Sequence, residues 1–489
     1  MPRLTHFLAP LLLLGAAGFL LFWKLGSLPV QQWDECRTGI NALETLLHRD
    51  WLVMRYQGEP DLWNSKPPLH LWALSLSFAT LGPTEFALRL PSALAALATV
   101  MAVYAAGRRA LGSPAAGLLA GLILVTAGGF TSLHVARSGD FDAMLTLWTT
   151  LGTLCWLTYL RTGRGKWAWL TGLAFALALL TKGIAGALPG PGLLLAAWAT
   201  GNWHRLRNPA PWLAGGLAVV ALIGWYGLRE AIAPGYLAAV MQYELSMATE
   251  GLENNGHSPV WYIGRLLEYN FPPWLAAAIL AVALAWRRNT PPSPAQLLVR
   301  GAACVAGSHL LILSLASTKL SWYDAPIYPL LALLAGAGIT WAAQAVSAQY
   351  QWQLRPVIVL LLVLLVAAGP FADRLAHLRE LHQRRYTVAA LLYGQHLRAQ
   401  VTALPELRTY TLLRGNEFND SPEFYRTAAQ LELGHDIGRA APWEAGSLEP
   451  ATVVVACGAE ARKPWTQRYE TQVLLQTDSC VTLRLVQRR

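Results

Sequence analysis

The chain has 489 residues, of which 54% are hydrophobic and only 13% charged, about half the charged share of a soluble domain. Its formal net charge is +10. The basic residues fall mostly in short loops between apolar stretches, the charge pattern that orients membrane helices, so the excess is not read as a nucleic-acid footprint and no nucleic-acid partner is expected.

In chain order, apolar stretches run at 7–23, 68–82, 89–107, 115–133, 143–160, 167–181, 184–200, 211–228, 273–286, 297–316, 325–345 and 355–371. The first, FLAPLLLLGAAGFLLFW, is long enough to cross a bilayer and has no clear small-residue cleavage site, so it is expected to stay as a signal anchor. Basic clusters at Arg108-Arg109, Arg161/Arg164/Lys166, His204/Arg205/Arg207, Arg287-Arg288 and Arg355 assign one side. Loops 24–67, 134–142, 229–271 and 317–324, with everything after 372, fall on the other. The alternation has one flaw: full crossings at both 68–82 and 89–107 put Arg108-Arg109 on the wrong side. One stretch is re-entrant or is not a span, and 11–13 spans are expected.

Two outer loops are long. Residues 24–67 contain QQWDECRTGINALETLL, whose amphipathic part at 37–49 is expected to lie along the membrane surface. A second amphipathic pattern, GYLAAVMQYELSMATEGL, lies in 229–271. From 373 the composition becomes more polar. Strands are expected at 408–415, 451–457, 471–477 and 480–486 and a helix at 421–434, a small α/β domain over 373–489 behind a membrane domain over 1–372. Cys457 and Cys480 in this tail can pair in an oxidising compartment, while Cys155 and Cys304 fall in apolar segments.

The chemistry-bearing residues sit at the outer ends of these stretches. Asp34 is a carboxylate on a loop beside the first span, where it can act as a general base toward a hydroxyl or amine, or simply be solvated or cap a helix. For its neighbour Glu35, metal binding, fold support and base chemistry all stay open. In NSKPPLHLW (64–72), Pro-Pro opens a helix and Lys66 stands just before it, either snorkelling or aimed at a phosphate. HVARSGDFDAMLTLW (134–148) brings together Arg137, Asp140 and Asp142; DxD is a weak metal signal, and capping with an Arg–Asp pair is the alternative. Asp142 is followed at once by apolar helix, an expensive place for a carboxylate unless it is paired or used. Lys182 interrupts two apolar stretches at a glycine-rich break, His257 lies in the second long loop, and Lys319 and Tyr323 mark a late helix boundary. Lys66, Arg137, Lys182 and Lys319 together are expected to form a basic cavity suited to a lipid phosphate.

The ordered set WDECR (33–37), DWLVMRYQGEPDLWNSKPPLHLW (50–72), EFALRLPSAL (85–94), ARSGDFDAML (136–145), TKG (181–183), GHSPVWY (256–262) and STKLSWYDAPIYP (317–329) resembles the GT-C class of integral-membrane glycosyltransferases. That class holds the bacterial aminoarabinose transferases of lipid A and the protein O-mannosyltransferases. The resemblance runs from residue 7 to about 345 and implies an all-α polytopic bundle of 11–13 helices with amphipathic periplasmic surface helices. It implies an inverting transferase of the bacterial inner membrane, its active site facing the periplasm. The sugar would move from a polyprenyl (undecaprenyl) phosphate donor to a lipid, glycan or protein acceptor, and a monomer is expected.

By the same resemblance Asp34 is the base and Asp142 a second acidic position, with Glu35 grouped beside them as a catalytic candidate. Arg37, Lys66 and Lys319 match donor-phosphate positions, and Arg137, Lys182 and Tyr323 are grouped with them. His257 matches a metal-associated histidine, with Asp140 as a further candidate ligand for at most one divalent metal. Ser65 stands where the aminoarabinose transferases carry a metal-binding glutamate, and Thr38 where they carry a tyrosine, so both metal and sugar are left open. The alternative function is a transporter or flippase for a lipid-linked sugar, whose charges would line a pathway.

Overall fold

The structure, a computed structural model, describes residues 2–132, 134–249, 256–287, 292–383, 389–413, 421–444, 446–477 and 479–489. In chain order its first helices are α1 (Pro2–Phe22), α2 (Asp34–His48), α3 (Leu69–Leu81), α4 (Glu85–Leu111), α5 (Pro114–Thr126) and α6 (Asp142–Thr162). They are followed by α7 (Gly165–Lys182), α8 (Gly190–Ala199), α9 (Pro209–Ile232), α10 (Tyr236–Thr249), α11 (Trp261–Arg265) and α12 (Leu275–Trp286). The last are α13 (Pro294–Leu315), α14 (Tyr328–Gln349), α15 (Pro356–Gln383), α16 (Ala389–Ala403), α17 (Ser421–Leu433) and α18 (Ala459–Arg468). Every apolar stretch of the sequence overlaps one of these helices.

Among the described residues, eight helices are long and apolar enough to cross a bilayer, and a pair bent by 119° at Trp261–Asn270 and Leu275–Trp286 adds a ninth if it is one broken span. Three shorter apolar helices, α3, α5 and α8, accompany them. The chain is a multi-span membrane protein.

Two compact units divide the chain. The first comprises Met1–Trp23, Leu62–His70 and Pro91–Arg379; the second comprises Lys24–Asp61, Leu71–Leu90 and Glu380–Arg489. The boundary expected at 372/373 thus becomes a break after Arg379, and most of the first long loop groups with the tail. The first unit is the helical bundle. Its small residues allow close approach: a Cβ on Gly338 would clash with the Ala277 carbonyl oxygen, between α14 and α12.

In the second unit a five-stranded sheet has the order β4-β3-β5-β7-β6, with β3 (Thr409–Leu413), β4 (Asp436–Ala440), β5 (Val453–Cys457), β6 (Tyr469–Thr477) and β7 (Cys480–Arg488); β1 (Arg55–Tyr56) and β2 (Glu59–Pro60) form a separate hairpin. The strands β3, β4 and β5 are parallel, and β7 is antiparallel to both β5 and β6. Cys457 and Cys480 stand opposite each other on β5 and β7 and are disulfide-bonded. Of the five strands in this sheet only β4 had no forecast: its sequence DIGRA carries little apolar alternation.

The buried face of α2 joins Leu74 and Phe78 of α3, Tyr393 of α16 and Phe424 of α17 in one apolar core. The close approach needs Gly39, where a Cβ would meet the Phe424 ring at 2.8 Å. The amphipathic helix expected at 37–49 is present, and its apolar face is turned into this core. Residues Cys36 to Thr45, Arg37 apart, are buried, and Leu47, Trp51 and Leu52 are left exposed.

The same packing removes the charge-alternation flaw. The 13 residues of α3 span about 20 Å, short of the ~30 Å hydrocarbon layer, and its side chains fill the second unit's core. Without a crossing at α3, Arg108-Arg109 fall on the same side as the other basic loops.

Candidate active site

Within the second unit, Asp34 opens α2 and is half-buried. Its side chain makes no hydrogen bond or ion pair with any described residue; only its backbone carbonyl is engaged, by the Thr38 hydroxyl at 2.6 Å. The preceding residue, Trp33, holds φ 68° and ψ −119°, a strained conformation for a bulky side chain.

Glu35 is different. Its side chain is 1% exposed and forms a bidentate pair with Arg89 at 2.8 and 2.9 Å, and one oxygen also accepts the Gln31 N–H at 2.7 Å. Arg89 donates in addition to the carbonyls of Leu25, Leu28 and Pro29. Of the roles left open for Glu35, the geometry is that of fold support: it pins the loop that presents Asp34, and both its oxygens are taken.

Arg37 pairs bidentately with Asp61 at 2.9 Å and lies over the Tyr56 ring at 3.4 Å. Asn41 donates to the same Asp61 oxygen at 2.9 Å and to the Arg55 carbonyl. Glu44 accepts the Gln57 and Gly58 N–H groups of the β1–β2 hairpin. Burial pushes the Glu44 carboxyl above the usual range, against those hydrogen bonds.

Within the first unit, a cavity of about 260 Å³ is lined by Lys66, Asp142, Lys182, Tyr243, Glu244, His309 and Tyr323. Each element delivers its group for a local reason. Asp142 is the first residue of α6. Lys182 ends α7, and Gly183, at φ 57°, lets the chain turn away immediately after it. The Lys182 ammonium sits 2.6 and 2.7 Å from the two Asp142 oxygens and over the Tyr323 ring at 5.2 Å. Lys66 reaches Glu244 on α10 at 3.1 Å, the Ser65 hydroxyl at 2.9 Å and the face of Tyr243 at 4.7 Å. The Ser65 hydroxyl lies 3.5 Å from Glu244. A carboxylate from a remote helix therefore stands beside Ser65. His309 on α13 is 2% exposed, hydrogen-bonds to the Tyr323 backbone, and leaves its Nε2 without a partner among the described residues.

The cavity is not the all-basic one expected. Arg137 is buried and donates to the Leu20, Leu21 and Trp23 carbonyls at 2.6–2.8 Å, so it closes the C-terminus of α1 rather than offering a phosphate site. Lys319, 4% exposed, donates to the Ala316 carbonyl at 2.6 Å. Lys66 and Lys182 remain, each holding a carboxylate that an incoming anion can replace. Asp140 accepts from Ser138 at 2.9 Å and lies 3.2 Å from His134, while His257 stacks on Trp261 at 4.3 Å. Among the described residues no group of three His, Cys, Asp or Glu side chains comes together. Sequence reasoning missed Arg89, Asp61, Glu244 and His309. Only Arg89, a lone cation in EFALRLPSAL, carried a local signal.

Comparison with known proteins follows the same lines. A family described as Dolichyl-phosphate-mannose-protein mannosyltransferase matches residues 65–226. A protein of Aquifex aeolicus is 32% identical over 43% of this chain and 41% of its own. An undecaprenyl phosphate-alpha-4-amino-4-deoxy-L-arabinose arabinosyl transferase of Pseudomonas fluorescens is 29% identical over 67% of this chain and 58% of its own. The chain thus spans about half the length of the curated relatives it matches. The crystal structure of ArnT from Cupriavidus metallidurans bound to undecaprenyl phosphate superposes with a TM-score of 0.68, at 20% identity and 97% coverage of both chains. The Archaeoglobus fulgidus oligosaccharyltransferase follows at 0.52, with 12% identity over 90% of this chain and 63% of its own. The fold is that of the GT-C integral-membrane glycosyltransferases, as the ordered motifs led us to expect.

Proposed function

We propose that the chain is an inverting glycosyltransferase that moves a sugar from an undecaprenyl (polyprenyl) phosphate donor to a lipid, glycan or protein acceptor at the periplasmic face of the bacterial inner membrane. The observation that carries this reading is the Asp34 carboxylate: half-buried at the start of α2, behind a strained Trp33, and with no side-chain partner among the described residues, while its neighbour Glu35 is fully committed to Arg89. In the reaction, Asp34 takes the proton of an acceptor hydroxyl or amine as that group attacks the anomeric carbon. The new bond forms as the bond from that carbon to the phosphate oxygen breaks, and polyprenyl phosphate leaves as an anion that needs no proton. Lys66 and Lys182 meet the phosphate charge, exchanging Glu244 and Asp142 for phosphate oxygens. A single displacement inverts the anomeric centre. The relatives with this fold are named as transferases, which supports this reading over a transporter.

The test is binding of undecaprenyl phosphate to the purified full-length protein, followed by its thermal stabilisation. Lys66→Met is the informative variant, because its ion pair is 20% and 35% exposed and contributes little to stability. Loss of one charge-assisted contact to phosphate is expected to weaken binding about tenfold or more. Wild type that does not bind, or Lys66→Met that binds as tightly as wild type, would contradict the proposed donor site.

A further inference from the structure

A second cavity of about 230 Å³ lies in the helical bundle between α4, α6 and α13, toward the opposite ends of α6 and α13 from Asp142 and His309. Its walls are apolar, including Ala105, Leu151, Leu154, Leu157 and Leu298, and two arginines line it, Arg109 in the last turn of α4 and Arg161 in the last turn of α6. Both arginines are exposed, and neither is engaged by a carboxylate among the described residues. No carboxylate is available nearby: residues 101–113, 155–170, 196–212, 284–300 and 345–358, which hold the basic loops of this side, contain no Asp or Glu.

Orientation by the positive-inside rule and helix-dipole complementation both explain cations at these helix ends. Neither requires an apolar groove beneath them. The groove exists because α4 presents alanines at 102, 105, 106 and 110, which leave space where larger side chains would close the packing against α6 and α13. An apolar slot between membrane helices with uncompensated guanidinium groups at its polar end matches one class of molecule.

We propose that this groove is a binding site for an anionic phospholipid, with an acyl chain along the alanine face of α4 and the phosphate at Arg109 and Arg161. Charge complementarity selects the ligand. A zwitterionic lipid brings its own ammonium to a surface that has no acid to receive it, whereas an anionic headgroup supplies the missing charge.

The test uses the full-length protein in detergent and native mass spectrometry, with phosphatidylglycerol and phosphatidylethanolamine of the same acyl chains as probes. Wild type is expected to retain phosphatidylglycerol preferentially. Each arginine near the headgroup contributes roughly fivefold, so Arg109→Gln/Arg161→Gln should weaken phosphatidylglycerol binding about 25-fold. Ala105→Trp fills the groove without changing charge and should also lose the lipid. Arg207→Gln, which removes a cation from the same side outside the groove, should keep it. Retention of the preference in the double arginine variant overturns the proposal, as does an equal loss in Arg207→Gln, which would mean diffuse surface charge. Both arginines are exposed, so these variants decide the matter even if Ala105→Trp does not fold.

Discussion

Glu35 and Asp34 are adjacent carboxylates with opposite expected responses to mutation. Glu35→Ala leaves the Arg89 charge uncompensated at 2% side-chain exposure. Breaking a buried ion pair by removing one partner costs about 3–5 kcal/mol. Arg89 keeps its contacts to the carbonyls of Leu25, Leu28 and Pro29, which places the cost at the lower end, about 3 kcal/mol. At about 2–4 °C per kcal/mol for a unit of this size, the midpoint of thermal unfolding should fall by about 6–12 °C. Asp34→Asn removes only a helix N-terminal charge, about 0.5 kcal/mol and about 1–2 °C, because its side chain has no partner to lose. Turnover should respond in reverse, falling by about 10²–10⁴ for Asp34→Asn, the usual contribution of a general base. The assay is thermal unfolding by tryptophan fluorescence beside sugar transfer in the same detergent. Glu35→Leu/Arg89→Met, which removes both charges, should recover most of the lost stability. Glu35→Ala that unfolds like wild type but does not turn over would return Glu35 to the chemistry and refute the assignment.

Arg137→Met removes three charge-assisted hydrogen bonds to the end of α1 and should cost about 2–3 kcal/mol, with undecaprenyl phosphate affinity of the folded protein unchanged; a loss of affinity without a loss of stability would contradict the capping role. Cys480→Ser, or treatment of wild type with dithiothreitol, opens a loop of sequence separation 23 and should destabilise the second unit by about 3 kcal/mol, read as a lower unfolding midpoint. Burial pushes the His396 ring down to about 4, between the hydroxyls of Thr477 and Thr482. Because that value lies below the unfolded one, near 6.5, its stabilising effect is complete above pH 6.5 and is lost as pH falls toward 4. The loss should be about 1–3 kcal/mol after solvent screening, and His396→Gln should flatten the stability profile in that window.

The helices were legible in the sequence because bilayer thickness imposes a long apolar run that composition alone reveals. The exception, α3, reads as a span by composition but packs Leu74 and Phe78 into a protein core, and only the loop-charge mismatch hinted at it. The sheet was legible where strands are apolar, as in ATVVVAC, and not at β4. At the site, local motifs located Asp34, Lys66, Asp142 and Lys182 but could not choose their partners. The Lys66–Glu244 pair joins positions 178 apart and Arg89–Glu35 positions 54 apart, and no local periodicity encodes either. The partners of Arg137 were hidden for the same reason: they are the backbone carbonyls of Leu20, Leu21 and Trp23, groups that any sequence supplies. His309 was hidden as a lone histidine in a largely apolar helix, a pattern that belongs equally to a satisfied core histidine.

The most direct measurement is transfer of label from a panel of undecaprenyl-phosphate sugars to a membrane extract, comparing purified wild type with Asp34→Asn. Transfer from one donor by wild type, lost in Asp34→Asn while undecaprenyl phosphate binding persists, is the expected result. Transfer that survives in Asp34→Asn would contradict its role as the base, and no transfer from any donor by folded, donor-binding wild type would contradict the proposed reaction itself.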